Sequence, residues 1–262
     1  MTAAPASPSP KAADASSPAG NVDAAEIERF QALAKAWWDP MGKFRPLHQI
    51  GPVRLAFVRD ALKRHFGREG DHGLRPLEGL RIIDIGCGGG LMSEPLARLG
   101  ARVTGIDPGP RNVAIARDHA AGQGLAIDYR ATTAEDCAAA GERYDAVVCL
   151  EVVEHVPDVA AFIATCASLV RPGGLLVLST INRTLKAYAL AIVGAEYVLG
   201  WLPRGTHQWE RFVTPDEMAG HLAAAGLSAP TFSGFVYHPL KDTWSLAPDT
   251  DVNYLAAAAK PE

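Results

Sequence analysis

Through the middle of the chain, short apolar runs bounded by glycine and polar residues alternate with segments long enough for helices. Arg81-Ile82-Ile83-Asp84-Ile85 reads as a buried strand, because it is a brief apolar run stopped by glycines. Similar runs recur at 102–106, 126–130, 144–150 and 174–179, and the segments 92–99, 111–120 and 159–170 between them have helical length. That alternation predicts βαβ units and a parallel sheet covered on both faces. Two later candidates, 231–236 and 252–257, would close the sheet as a hairpin-like edge and bring the count to seven strands. Ahead of the sheet, Ile27, Phe30 and Ala34 fall at i, i+3 and i+7 behind Asp23 as a possible N-cap, which predicts a first helix. A second amphipathic helix is expected to open at Pro52, after the loop PMGKFRPLHQIG, and to run through Leu55, Val58 and Leu62.

Composition narrows this picture. The 262 residues allow one or two domains, and 48% apolar with 21% charged residues is an ordinary globular balance. Lys+Arg 25 against Asp+Glu 29 leaves −4, so no basic excess exists to bind nucleic-acid phosphates. The four cysteines, Cys87, Cys137, Cys149 and Cys166, lack any C-x-x-C pairing, which points to a reducing compartment and no structural zinc. Of the first twenty residues, seven are Ala, four Pro and four Ser; such a segment cannot bury enough to fold and has the composition of neither a secretory signal nor a transit peptide. Residues 1–21 are therefore expected to be a disordered tail and 22–262 one domain, with N-terminal helices over 22–66, a core over 80–180 and an insertion over 184–212.

The strongest chemical signal is Asp84-Ile85-Gly86-Cys87-Gly88-Gly89-Gly90, a strand end that runs into a helix. Four glycines in five positions exceed what a tight turn requires; they let the backbone approach a ligand, and the helix N-terminus beyond them favours polar or anionic groups. This is the pattern of a nucleotide-type cofactor loop. The dinucleotide fingerprint G-x-G-x-x-G is broken, because Leu91 stands at its third glycine; the glycines fall instead as Gly86-x-Gly88-x-Gly90. Asp107 ends the next strand, 107 − 84 = 23 residues on, where a carboxylate can accept hydrogen bonds from both ribose hydroxyls. That carboxylate would suit NAD as well, and it could also be only a helix cap ahead of Pro108.

Over residues 80–180 the motifs DIGCGGG, GIDPG, EVVEHV and RPGGLLVLST make the chain resemble the seven-stranded, S-adenosyl-methionine-dependent methyltransferases. The resemblance implies a Rossmann-like doubly wound α/β fold with strand order 3-2-1-4-5-7-6 and the cofactor across the carboxyl ends of the first strands. Glu151–His155 fill the slot where relatives acting on amino groups of adenine or glutamine carry Asn/Asp-Pro-Pro-Tyr/Phe, which speaks against N-methylation of nucleic acid. A narrower resemblance covers nearly everything after residue 21: WWDPMGKFRPLHQIGPVRL, EVVEHV, VGAEYVLGWLPRGTH and DVNY are similar to the bacterial ubiquinone biosynthesis O-methyltransferases and their mitochondrial counterparts. It implies methylation of phenolic hydroxyls on polyprenylated rings at two pathway steps, those of 2-polyprenyl-6-hydroxyphenol and 3-demethylubiquinol. It further implies that Arg54 holds the cofactor's carboxylate, that Gly86, with Asp84 and Gly88 in the same loop, lies under its methionine part, that Asp107 takes the ribose, and that Leu150 lines the adenosyl site. One departure is Gly51, where the relatives usually carry Asn in what reads as a loop.

From the residues themselves, Arg54 suits a carboxylate through its bidentate fork, although an exposed arginine is as often a solvated ion pair. Glu151, Glu154 and His155 share a face if the chain turns helical after the strand. A hard cation such as Mg2+ on that face would bind a catecholate and lower the hydroxyl pKa from around 10. The mitochondrial relatives are thought to use this triad with such a metal. Alternatively His155 is a general base that takes the phenolic proton, with an ordinary pKa near 6.5 suited to neutral pH; the plainer alternative is an ion pair at a helix start.

Residues 187–195 (AYALAIVGA) are apolar, far short of the roughly 20 needed to span a bilayer. Flanked by Arg183, Lys186, Arg204 and Arg211, with Tyr188, Tyr197 and Trp201, they read either as a buried helix or as an interfacial lid against anionic membrane lipids; His207 could face the substrate. The expected protein is thus an O-methyltransferase of S-adenosyl-methionine, peripheral on the inner, cytoplasmic face of the membrane, with other ubiquinone-pathway proteins as candidate partners and no nucleic acid. An enzyme acting on another small phenol, an NAD-dependent dehydrogenase and a non-catalytic cofactor-binding scaffold of a lipid-pathway complex remain as rivals.

Overall fold

The apolar runs that the sequence marks as strands all pair: β1 (Arg81–Ile85), β2 (Arg102–Asp107), β3 (Asp128–Ala131), β4 (Tyr144–Leu150) and β5 (Val170–Ile181) lie parallel, in the order β3-β2-β1-β4-β5. The computed structural model describes residues 21–70, 73–190, 208–238 and 240–262. Helices α3 (Ser93–Arg98), α4 (Pro110–Gly122), α5 (Ala134–Ala139) and α6 (Val159–Leu169) make the crossovers; α3, α4 and α6 lie within two residues of the predicted bounds, whereas α5 was not predicted. Beyond β5 the sheet turns antiparallel through β8 (Asn253–Ala259), β6 (Thr231–His238) and β7 (Thr243–Ala247), with α8 (Pro215–Ala224) leading into β6.

The expected order is kept, but the count of seven is corrected to eight among the described residues. The added strand, β7, pairs only with β6 and sits at the sheet's edge, where most of its side chains stay exposed. A strand so largely exposed has little apolar pattern to announce it.

Successive residues of each central strand serve opposite faces, as the two-residue period of a strand requires. Ile83, Val147 and Leu176 pack against Ile163 of α6 and Met218 and Leu222 of α8. Ile82, Val148 and Val177 pack against Leu96 of α3 and against Val58 and Leu62 of α2 (Arg45–His65). This two-sided burial makes the strands read as continuous apolar runs. Register then decides what stands at the carboxyl edge. Ile85 lies beside Ile106 and Cys149, so Gly86, Asp107 and Leu150, each the next residue along, emerge side by side.

Two expectations at the N-terminal side need correction. The helix α1 (Ala24–Ala32) does form, with Asp23 accepting the Ala25 N–H, but α2 opens at Arg45 with Pro46 in its first turn, not at Pro52. Pro52 is interior. A proline disfavours helical backbone in the residue before it by pressing on that residue's Cβ, and Gly51 has none. Gly51 is therefore a helix position rather than part of a loop.

Residues 1–20, the greater part of the predicted tail, lie outside the described residues. So do 191–207, with Tyr197, Trp201, Arg204 and His207. The rest of the predicted insertion holds the helical turn α7 (Leu185–Ala187), continued as a π turn over 188–190, and a 3-10 turn at Trp209–Arg211. Among the described residues no helix is long and apolar enough to cross a membrane.

Candidate active site

A cavity of about 640 Å3 opens along the carboxyl edge of β1, β2 and β4, and Arg54, Asp84, Gly86, Gly88, Asp107, Leu150, Glu151, Glu154 and His155 all border it. The residues nominated for the cofactor, the base and the metal therefore all reach one space.

Its floor is the glycine loop. Gly86, Gly88 and Gly90 take φ of 71°, 53° and 91°, a region that glycine enters without strain. Gly88 and Gly89 leave no space for a side chain, because a Cβ on either would lie within 2.5 Å of the Trp37 indole. Trp37 is stacked on Phe44 at 3.9 Å, and its indole N–H donates to Asn112 Oδ1 (3.0 Å). Asn112 in turn donates to Asp107 Oδ1 (3.1 Å), which also accepts the Gly109 N–H (2.7 Å), while Asp107 Oδ2 accepts the Gly88 N–H (3.1 Å). Burial raises the Asp107 pKa; these hydrogen bonds pull it back. Three acceptor sites of about four on the carboxylate are thus already filled, so the expected grip on both ribose hydroxyls meets an oxygen pair with little spare capacity.

Asp84, fully buried, accepts the Ser93 hydroxyl at 2.5 Å. Burial lifts its carboxyl to about 6, against the pull of Ser93 and of the Arg54 charge. Arg54 is buried on α2, 4.0 Å from Glu151 Oε1 and 3.5 Å from the Leu47 carbonyl, and its Nε has no partner. Burial lowers its pKa, and the charges of Glu151, Asp84 and Glu154 oppose that. A buried guanidinium with an unsatisfied N–H is suited to receive an anionic group. With the glycine floor and Asp107, the residues present fit a nucleoside cofactor that carries a carboxylate.

The triad behaves differently from expectation. Glu151 does not begin a helix: its φ is 55°, the Ser179 hydroxyl holds its Oε1 at 2.6 Å, and only Val153–His155 form a 3-10 turn. The i, i+3, i+4 face is therefore not made. Glu154 Oε2 accepts the Thr180 hydroxyl (2.7 Å) while its Oε1 has no partner. Burial and then the neighbouring Glu151 charge push the Glu154 carboxyl up to about 7. His155 Nδ1 lies 2.9 Å from Glu26 of α1, and Phe30 meets its ring edge-on at 5.3 Å. Each of the three side chains has its own partner, and among the described residues no three His, Cys, Asp or Glu gather to hold a metal ion. The arrangement does not fit Mg2+ as a resident group.

Facing the cofactor end, the cavity is walled by Leu47 and Ile50 of α2 and by Phe235, Tyr237 and Trp244 of the β6–β7 hairpin. Asp242, in the hairpin turn, ties that wall to α2 through Arg45 (3.0 Å) and Gln49 (3.1 Å). The wall, Trp37, Asn112 and Glu26 were not singled out from sequence. Asn112, five residues past Asp107 in DPGPRN, carried a local signal; Glu26 carried none.

Among the described residues, the cations expected to face anionic lipid are occupied. Arg183 pairs with Glu217, Lys186 with Asp249 (2.6 Å) and Asp251 (3.2 Å), and Arg211 with Asp23 (3.3 Å). Exposed apolar side chains are nearby: Leu185 is 82% and Leu190 54% exposed.

Comparison with known proteins fits this geometry. A family model described as a methyltransferase domain matches residues 53–229. The chain is 57% identical over 247 residues to the ubiquinone biosynthesis O-methyltransferase of Methylobacterium sp. (strain 4-46), covering 94% of this chain and 99% of that one. It is 57% identical over 240 residues to the protein of the same name from Parvibaculum lavamentivorans, covering 92% and 94%. Among solved structures, magnesium protoporphyrin IX methyltransferase of Synechocystis PCC 6803 with bound SAH superposes with TM-score 0.55 at 25% identity, over 79% of this chain and 84% of that one. A SAM-dependent methyltransferase from Thermotoga maritima reaches TM-score 0.59 at 17% identity, over 90% and 99%, a likeness of fold alone.

Proposed function

The chain belongs to the ubiquinone biosynthesis O-methyltransferases, and from that membership we propose how its cavity methylates the phenolic hydroxyl of a polyprenylated ring at the expense of S-adenosyl-methionine. Bound cofactor supplies an electrophilic methyl group on a sulfonium, which needs no further activation. What the protein must add is placement, worth on the order of 7–11 kcal/mol, and removal of one proton.

In this reading Arg54 takes the methionine carboxylate, Gly86 and Gly88 let the backbone lie against the cofactor, Asp107 accepts from one ribose hydroxyl, and Leu150 packs beside the adenosyl group. The support is their common border on one cavity and the unsatisfied Arg54 Nε. Asp84 acts beneath the loop, through Ser93. The acceptor ring lies between Leu47, Ile50, Phe235 and Trp244. His155 takes the phenolic proton as the oxygen bonds the methyl carbon; the carbon–sulfur bond breaks and its electron pair stays on sulfur.

The observation that carries this reading is that the His155 imidazole borders the same cavity as Arg54 and Asp107. His155→Ala is expected to lower kcat by about 10²–10⁴-fold, the usual contribution of a general base, and to leave affinity for S-adenosyl-homocysteine, measured by titration calorimetry, unchanged. Wild-type turnover in that variant would contradict it.

We infer in addition that both ring intermediates of the pathway, 2-polyprenyl-6-hydroxyphenol and 3-demethylubiquinol, are acceptors, since each presents a hydroxyl beside a prenyl chain to the same apolar wall. The polyprenyl tail requires access to a membrane, and exposed Leu185, Tyr188 and Leu190, the last bordering the cavity, support peripheral attachment, which we place on the cytoplasmic side.

A further inference from the structure

Helix α1 has no residue in the core, yet it borders the cavity with Glu26, Ile27 and Phe30. It is held at its start and along its length by polar contacts to three other parts of the fold. The Asn21 side-chain amide donates to the Asp158 carbonyl and accepts the Asp158 N–H, Asp23 meets Arg211 at 3.3 Å, and Gln31 accepts the Arg111 N–H at 3.3 Å. Such contacts do little for stability, since exposed ion pairs are worth about 0–1 kcal/mol each. What they achieve is location: they set Glu26 against His155.

Glu26 Oε2 lies 2.9 Å from His155 Nδ1, with both side chains largely covered, and Arg29 bonds the same oxygen. Burial works against the charge of Glu26, but the His155 hydrogen bond and charge, with Arg29, hold its carboxyl below the ordinary glutamate value. An ionised carboxylate at this distance accepts a proton-bearing Nδ1. The imidazole is then fixed as the tautomer whose lone pair is on Nε2, the form a base needs. Phe30, edge-on at 5.3 Å, stops the ring from turning.

We propose that Glu26 of the N-terminal helix is the positioning residue of His155, so that α1 completes the acceptor site and holds the base in its reactive tautomer. The inference rests on the reading of His155 as the base. Glu26 touches neither cofactor nor the reacting oxygen in this account; it acts only through the imidazole. An i, i+3 ion pair with Arg29 alone would explain a surface glutamate, but it needs neither the histidine nor the edge of the cavity.

The test compares Glu26→Gln, Glu26→Asp and His155→Ala in the full chain, with labelled S-adenosyl-methionine and a short-chain prenyl catechol in detergent micelles. Glu26→Gln is expected to lower kcat roughly 10–100-fold, as loss of a partner that orients a histidine does elsewhere, with KM for both substrates and the melting temperature nearly unchanged. Glu26→Asp should recover part of the loss, and 15N resonances of the His155 ring should show Nδ1 losing its proton in Glu26→Gln. An unchanged kcat in Glu26→Gln while His155→Ala is inactive would overturn the positioning role and leave the base intact. Full activity in His155→Ala would overturn both. A loss in Glu26→Gln confined to KM or to melting temperature would also overturn the proposal.

Discussion

At the scale of single residues, the site is a set of buried charges that the fold must tolerate. Asp84 is the clearest. Burial raises its pKa from 3.8 to about 6, so between those values the folded protein still holds a proton that the unfolded chain has given up. Stability in the absence of cofactor is therefore fully present below pH 3.8 as far as this group is concerned, and falls as pH climbs through about 6. Asp84→Asn should flatten that part of the melting-temperature profile from calorimetry; an equally steep profile in the variant would contradict the assignment. The residues legible in the sequence were those whose role is local. Gly86 and Gly88 follow from a strand that must turn sharply, and Asp107 from a carboxylate at the next strand's end. Glu26 was not legible, because its partner His155 is 129 positions away, 155 − 26, and only the fold brings them together. The Glu151–Glu154–His155 spacing suggested a ligand face that the positive φ at Glu151 prevents.

At the scale of elements, the segment between α1 and α2 does more than link them. Trp37 covers Gly88 and Gly89 and ties itself through Asn112 to Asp107, so the loop's shape depends on a residue 51 positions before it, 88 − 37. Trp37→Ala is expected to cost about 3–5 kcal/mol in chemical denaturation and to weaken S-adenosyl-homocysteine binding, since the glycines would lose the surface they lie against. Unchanged affinity in a folded variant would show that the loop holds its shape alone. Because strands buried on both sides carry continuous apolar runs, strand and helix periods revealed β1 to β5 and three of their four crossovers, missing the short α5. They missed β7, which is mostly exposed, and misplaced the start of α2, where two prolines six apart, 52 − 46, compete as the first-turn residue. Pro46 wins that position, and Gly51 makes the interior Pro52 tolerable.

At the scale of the molecule, on the proposed reading, the sheet would set the cofactor end and the appended parts the acceptor end. The register of β1, β2 and β4 brings Gly86, Asp107 and Leu150 side by side. The walls that would select a prenylated ring come from α1, α2 and the β6–β7 hairpin, all outside the parallel core. The charge pattern of the segment after β5 suggested attraction to anionic lipid, but Arg183, Lys186 and Arg211 each have carboxylate partners. Membrane attachment through Leu185, Tyr188 and Leu190 should accordingly persist at high salt in vesicle sedimentation, where electrostatic binding would be lost with screening. Release by salt would contradict the apolar mode. The central claim is methyl transfer to a phenolic oxygen of a prenylated ring. Incubating the protein with CD3-labelled S-adenosyl-methionine and matched catechols with and without a short prenyl chain, read by mass spectrometry, tests it most directly. The account predicts a single CD3 ether on the prenylated ring, formed faster than on the bare one, with one S-adenosyl-homocysteine per product. No label on either catechol, from protein that still binds S-adenosyl-homocysteine, would contradict it.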